Sequence, residues 1–257
     1  NIDELKSRND ELGILSNSLD DMTYELQRRI SHAENFSTDL VHEIRNPLTS
    51  LKSASEILHE TEDLAHRNKL TNILNHDVQR IERLITDYSQ MLKDEVALSR
   101  EKMKKIDLKL IVKSVVDDFN NIYEAKRGIK IILNDINNQE EFFIYGIENR
   151  IEQIIANLLD NSVSFSDNNK NISVEIFQNE NEKTILKVID EGKGFKEKST
   201  KKIFERFYSN RPDSFGEHSG LGLNIVKNLV DLHGATISAS NNITKKGANV
   251  EIVFPKL

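Results

Sequence analysis

Four short stretches of this chain carry side chains whose types and spacing could do chemistry. The first is His42-Glu43-Ile-Arg-Asn46-Pro47, inside a run with helical periodicity. At 3.6 residues per turn His42 lies about 200° from both Leu40 and Ile44, so it faces away from the apolar stripe. Glu43 lies about 100° further round, and Asn46 about 40° round and one turn on, so the three share one exposed patch. Pro47 removes the N–H that would bond the Glu43 carbonyl, at about 3 kcal/mol in a helix interior. A neutral imidazole nitrogen can attack phosphorus while a neighbouring carboxylate takes the proton of the other nitrogen. On these residues alone an ordinary surface histidine fits equally well, the reading given to His32, His59, His66 and His76.

The other three stretches lie further along. Asn157-Leu-Leu-Asp160-Asn161 places two carboxamides four residues apart on one helix face, where their oxygens could meet a hard cation. Solvating or capping the helix is their other role. Asp190-Glu-Gly192-Lys-Gly194 follows the apolar run Ile185–Ile189. A carboxylate at a strand end before two glycines suits a pocket where backbone approaches a flat ligand, and it also suits a simple turn. Ser219-Gly220-Leu221-Gly222-Leu223 opens a helix carrying Ile225, Val226, Leu229 and Val230. Glycines there expose the first N–H groups to an anion, though glycine serves ordinary turns as well.

Two kinds of element must position these groups. Up to residue 100 the only breakers are Gly13 and Pro47, and apolar residues recur at three- and four-residue steps. One series runs from Leu5 to Leu51 and a second from Leu70 to Leu92, with the polar stretch His59 to Arg67 between them. Narrow apolar stripes with charged flanks predict a two-helix hairpin. One hairpin buries two stripes poorly, so two chains should pair into a four-helix bundle. After residue 100 the pattern changes. A helix is expected over Leu108 to Tyr123, with Leu108, Ile111, Val112, Val115, Val116 and Phe119 on one face. Strands are expected at Ile129–Leu133, Phe142–Tyr145, Ile172–Phe177, Thr184–Ile189, Thr236–Ala239 and Val250–Phe254, with helices near Glu148–Val163 and Leu221–His233. Strands interleaved with helices predict an α/β layer domain, and the charged stretch Arg100–Asp107 is read as the hinge before it.

Composition narrows the classes. The net charge of −7 leaves no basic stripe for nucleic acid, and the absence of cysteine excludes disulfides, thiolate metal sites and cysteine nucleophiles. No apolar run approaches the roughly 20 residues that span a bilayer, and no signal peptide is recognisable. A start at Asn1 reads as a fragment.

The run Phe36 to Thr49 resembles the H-box of histidine kinases with a HisKA-type dimerisation domain. The resemblance implies that His42 is phosphorylated, that Glu43 assists as base, and that Asn46 positions water when the partner is dephosphorylated. The three later motifs, with Ile203-Phe204-Glu205-Arg206-Phe207-Tyr208, resemble in order and spacing the N, G1, F and G2 boxes of the histidine-kinase catalytic domain, a member of the GHKL superfamily with gyrase, Hsp90 and MutL. This implies an α/β sandwich that binds ATP and Mg²⁺. Asn161 would ligate Mg²⁺ with Asn157 near the phosphates, and Asp190 would accept from the adenine amino group. Gly192 and Gly194 would line the base pocket, and Phe165 is counted among the nucleotide-binding residues. Ser219, Gly220, Leu221, Gly222 and Leu223 would wrap the phosphates, Arg206 would approach the γ-phosphate, and residues 195–219 would form the lid. Two positions depart from the pattern: Ser164 stands where a basic residue is usual, and His218-Ser219 replaces the usual Gly-Thr.

Arg8 to Leu15 resembles the end of a HAMP relay domain, and Arg211 to Gly220 resembles the lid of ChvG/ExoS-type envelope sensors of alphaproteobacteria. The implied organisation is a HAMP end at 1–25, a dimerisation and phosphotransfer domain at 26–100, a linker at 101–107 and a catalytic domain at 108–257. The implied protein is a homodimeric sensor histidine kinase at the cytoplasmic face of the bacterial inner membrane. It would be anchored there by segments outside this soluble part, with a response regulator as partner and phosphatase activity toward it. A catalytically silent nucleotide-binding scaffold is the alternative, motivated by Ser164 and His218. A gyrase-like ATPase is the third reading, and the H-box argues against it.

Overall fold

The computed structural model describes residues 10–98, 101–136, 141–196, 200–208, 220–242 and 246–257. The chain divides into two compact units between Leu84 and Ile85.

The first unit is a helical hairpin. Helix α1 spans Glu11–Glu60 and helix α2 spans Leu64–Leu98, its residues from Ile85 onward being counted with the second unit. Asp10 starts α1 by accepting from Gly13 N at 3.2 Å, and Glu11 puts an acid in the first turn, where the helix dipole favours it. Residues 61–63 reverse the chain, and Asp63 then caps α2, its two oxygens accepting from Ala65 N and His66 N. Leu40, Ile44, Pro47, Leu51, Ala54 and Leu58 are buried or half-buried along α1; Leu70, Leu74, Asp77, Ile81 and Leu84 answer them along α2. Both series alternate steps of four and three, the seam of two antiparallel helices. Helix α1 runs on through Pro47.

The second unit is a two-layer α/β sandwich. Strand β1 (Lys104–Asp107) leads into α3 (Leu108–Arg127), then β2 (Lys130–Asp135), β3 (Phe143–Gly146), α4 (Glu148–Phe165), β4 (Asn171–Gln178) and β5 (Thr184–Asp190). A short 3₁₀ turn (Thr200–Phe204), α5 (Gly222–Leu232), β6 (Thr236–Asn241) and β7 (Ala248–Val253) complete it. The main sheet has the order β2-β4-β5-β7-β6, parallel between β2 and β4 and antiparallel elsewhere, while β1 pairs antiparallel with β3. Ile172, Val174 and Ile176 of β4, Leu186 and Val188 of β5 and Val250 and Ile252 of β7 turn one sheet face into the core. They pack with Val112, Val116, Ile151, Ile155, Leu158, Val226 and Val230 of the three helices. The opposite face is mixed, with Lys187 and Glu251 paired in register at 2.9 Å and Phe177, Ile185 and Val253 in register beside them. Period two on the strands and 3.6 on the helices thus produce one core.

The six strands expected from the sequence are all present. Lys104–Asp107, expected within a linker, is a strand held by β3. Its last residue is doubly used: Asp107 Oδ1 accepts from Lys109 N at 3.0 Å, capping α3, and from Phe142 N at 3.1 Å. Asp107→Ala should therefore cost about 1–2 kcal/mol in urea unfolding of the second unit; a change below about 0.3 kcal/mol would show the cap to be unimportant.

Candidate functional site

Helix α4 is the platform of the site. Asn157 and Asn161 are half-buried and share the face turned toward Gly222 at the start of α5. A Cβ added at Gly222 would come 3.6 Å from Asn157 Oδ1 and 3.8 Å from Asn161 Nδ2, so the N and G2 motifs meet. Leu221, just before α5, is fully buried, and Leu223 packs against the core; both fix the glycine turn to the domain. Gly220 has φ +71° and lies against the backbone of Phe207, so any side chain there would strike the F-box. Asn224 Nδ2 donates to the Phe204 carbonyl at 2.9 Å, a second tie between that box and α5. Arg206 is half-buried on the turn that follows. Ser219 and His218 lie outside the described residues, as do 197–199 and the rest of 209–219 of the expected lid.

Asp190 ends β5 with 5 % of its surface exposed. Its Oδ1 accepts from Gly192 N at 2.8 Å and Ala248 N at 3.0 Å, which leaves Oδ2 for a donor on a ligand. Burial pushes the carboxyl above its ordinary range, and the bonds from Ala248 and Gly192 oppose that shift. Gly192 sits between Asp190 and Phe165, where an added Cβ would be 2.5 Å from the Phe165 carbonyl oxygen. Phe165, Asp190 and Gly192 are thus one cluster. Gly194 reaches it through Gly247: an added Cβ would be 3.1 Å from the Gly247 carbonyl oxygen, and Gly247 itself lies against the Asp190 carbonyl. Asn241 holds the next residue, its Oδ1 accepting from Phe195 N at 2.6 Å and its Nδ2 donating to Phe195 O at 2.9 Å.

Several of these groups escaped sequence reasoning. Asn241 was hidden in a local excess of asparagines. A side chain at Gly247 would collide with the Asp190 carbonyl, but Gly247 stands in no recognisable motif. Arg127 donates to the carbonyls of Val163 and Ser166, both at 2.7 Å, and so holds the end of α4. His233, 4 % exposed, secures the other end of that helix. Its Nδ1 lies 2.6 Å from the Leu229 carbonyl, which can only accept, so the proton is on Nδ1. Nε2 then accepts from Ile147 N at 3.1 Å. Ser164 spends its hydroxyl on the Asp160 carbonyl of its own helix, at 2.7 Å.

In the hairpin, His42 and Asn46 are exposed, as helix phase requires, and Pro47 is buried in the seam. Glu43 differs from expectation. It is half-buried and turned toward α2, where its Oε2 accepts from Arg80 Nη2 at 3.1 Å. Among the described residues no group of three or more His, Asp or Glu could hold a metal, and no helix is long and apolar enough to cross a membrane.

Residues 33–104 match the His Kinase A (phospho-acceptor) domain, and residues 146–257 match the histidine kinase-, DNA gyrase B- and HSP90-like ATPase family. The two domain matches, in this order and together covering most of the chain, make it a member of the sensor histidine kinases. Within them it is similar to Sensor protein ChvG of Rhizobium meliloti, 37% identical over 96% of this chain and 44% of that protein. Sensor protein ChvG of Agrobacterium fabrum is 36% identical over 96% of this chain and 42% of its own length. The chain therefore spans less than half of these curated relatives. Among solved structures, the histidine kinase AdeS of Acinetobacter baumannii has the same fold, with TM-score 0.56 and 22% identity over 83% of this chain and 96% of that one. Histidine kinase ThkA, solved in complex with response regulator protein TrrA, matches with TM-score 0.62 and 21% identity over 91% of this chain and 66% of that one.

His233 gives a test of the α4 anchor. Burial lowers its pKa below the ordinary value of 6.5, opposed by the Leu229 bond. A lowered imidazole pKa means that the unfolded chain binds the proton first. Stability is complete above about pH 6.5 and falls as the pH drops toward the folded-state value. Urea midpoints of the wild type should decline over that window, and those of His233→Gln should decline less; parallel curves would exclude His233 as the cause.

Proposed function

We propose that this chain is the kinase core of a membrane-anchored sensor: it phosphorylates His42 from ATP and passes the phosphoryl group to an aspartate of a response regulator. The observation that carries the reading is the pairing of an exposed histidine in the hairpin with the Asn157–Asn161–Gly222 and Asp190–Gly192 clusters in the sandwich. One imidazole nitrogen of His42 attacks the γ-phosphorus, the bond from that phosphorus to the β–γ bridging oxygen breaks, and ADP leaves. The proton on the other ring nitrogen passes to Glu43. Asn46, exposed one turn on, orients water for the reverse dephosphorylation of the regulator.

On the nucleotide side, Asp190 Oδ2 accepts from the adenine amino group beside Gly192, Gly194 and Phe165. The turn Gly220 to Leu223 and the first N–H groups of α5 face the phosphates, Ser219, outside the described residues, is assigned to the same group, and Arg206 approaches the γ-phosphate. The donor set suits Mg²⁺, which takes few protein ligands and completes its shell with water and phosphate oxygens. Asn161 would supply the protein oxygen, and the ion would neutralise charge on the phosphates. Ser164, bonded within its helix, is not a phosphate ligand, and the role of the missing basic residue falls to Arg206.

The hairpin supports a homodimer. Val41, Leu48, Ile57, Ile73 and Val78 are all more than 40% exposed, and a second hairpin would cover them as a four-helix bundle. We further assign 1–25 to a HAMP end, 26–100 to dimerisation and phosphotransfer, and the sandwich from its first strand at Lys104 to Leu257 to ATP binding, which leaves 101–103 as the linker. Residues 1–9 of the HAMP assignment lie outside the described residues. We also propose membrane anchoring at the cytoplasmic face of the inner membrane; the similarity to sensor proteins longer than this chain supports this reading.

Incubation with labelled ATP and Mg²⁺ should give acid-labile, base-stable label on the wild type and none on His42→Gln. Equal labelling of both would remove His42 as the acceptor, and nucleotide binding without any label would favour a silent scaffold. Asp190→Asn should weaken ATP binding by about 1.5–3 kcal/mol, roughly ten- to a hundredfold in Kd by titration calorimetry. An unchanged Kd would take Asp190 out of the adenine pocket.

A further inference from the structure

Glu43 is held from across the hairpin, because its Oε2 accepts from Arg80 Nη2 on α2. We propose that Arg80 is a positioning residue for phosphoryl transfer at His42, acting through Glu43; this rests on the reading of Glu43 as the base. Three observations carry the assignment. The first is phase. Glu43 immediately precedes Ile44 and Arg80 immediately precedes Ile81, and both isoleucines are half-buried seam residues. The two charged side chains therefore leave the seam on the same flank and meet at its edge, beside the helix turn that presents His42.

The second is the partner Arg80 does not take. Asp77 stands three residues before it on the same helix, spacing at which an acid and a base readily pair. Asp77 is 7% exposed, and its Oδ2 is buried without a hydrogen-bond partner. The guanidinium nevertheless goes to Glu43 on the other helix. The third is energetic. The pair keeps 40% and 25% of its side-chain surfaces exposed, and an ion pair that wet contributes little to stability. Its consequence is geometric: one carboxylate oxygen of a side chain with three rotatable bonds is fixed at the seam edge. Pro47 makes that tether matter more, because it removes the helical N–H that would bond the Glu43 carbonyl.

The test is the initial rate of label incorporation by the full chain across a range of ATP concentrations. Arg80→Gln should lower the maximal rate about three- to tenfold and leave the KM for ATP unchanged, since the nucleotide residues are untouched. Arg80→Lys keeps the charge without the planar fork and should recover part of the loss. In a Glu43→Gln background, Arg80→Gln should change nothing further. Equal losses in both backgrounds, or an unchanged or raised rate for Arg80→Gln alone, would overturn the proposal. If Arg80→Gln melts at a lower temperature than wild type, Arg80→Lys in the two backgrounds gives the same comparison. Wild-type labelling by Glu43→Gln would remove the base reading and the positioning role with it. A slow Glu43→Gln beside an unaffected Arg80→Gln would remove only the positioning role.

Discussion

The second unit is organised around a helix held at both ends. At its start, the N–H of Ile147 is taken by His233 Nε2, and at its end the carbonyls of Val163 and Ser166 are taken by Arg127. Helix ends carry backbone groups with no partner inside the helix, and α4 borrows its partners from α5 and α3. Between the two anchors Ile151, Ile154, Ile155, Leu158 and Leu159 are buried almost completely. Asn157 and Asn161 therefore project from a rod that can neither slide nor roll. Everything else at the nucleotide end is placed by reference to that rod: Gly222 faces the asparagines, Gly192 packs on the Phe165 carbonyl, and Asp190 gathers two backbone N–H groups beside it.

Most of the fold was legible because its burial pattern is strict. Val112, Val115 and Val116 announce a helix face, and Ile172, Val174 and Ile176 announce a strand. Lys104–Asp107 was not legible: three of its four residues are charged, and only Ile106 is buried, so pairing with β3 makes it a strand while its pattern reads as linker. At the site, motif residues were visible through their order and spacing along the chain, since each motif alone also suits an ordinary turn or cap. Gly247, Asn241 and Arg127 were invisible for the converse reason. Each acts on backbone far away in sequence, Gly247 on Asp190 and Arg127 on the end of α4, and local spacing holds no trace of such contacts. Glu43 marks the limit of helix-wheel reasoning. Phase placed it near His42, but a partner on another helix decides where its carboxylate rests.

The hairpin and the sandwich solve different packing problems. The sandwich closes its own core, with Phe142 and Phe254 buried at or near zero exposure. The hairpin buries little besides its seam, and admits Asp77 among Leu74, Ile81 and Leu84. An ionisable group in a seam costs stability while it specifies register. A structure stabilised by many small contacts along a long seam can exchange one arrangement for another at modest cost, an option closed to a densely packed sandwich.

Pro47 gives α1 an uneven stiffness. The helix has 50 residues, about 75 Å at 1.5 Å per residue, and is intact apart from the one hydrogen bond its proline cannot make. Such a rod is compliant at a single joint, roughly 54 Å from its first turn. Bending or twisting strain entering at the Glu11 end concentrates at that joint rather than spreading along the shaft. The joint lies one turn beyond His42 and at the carbonyl of Glu43, so the softest point of the rod adjoins the side chains proposed to react.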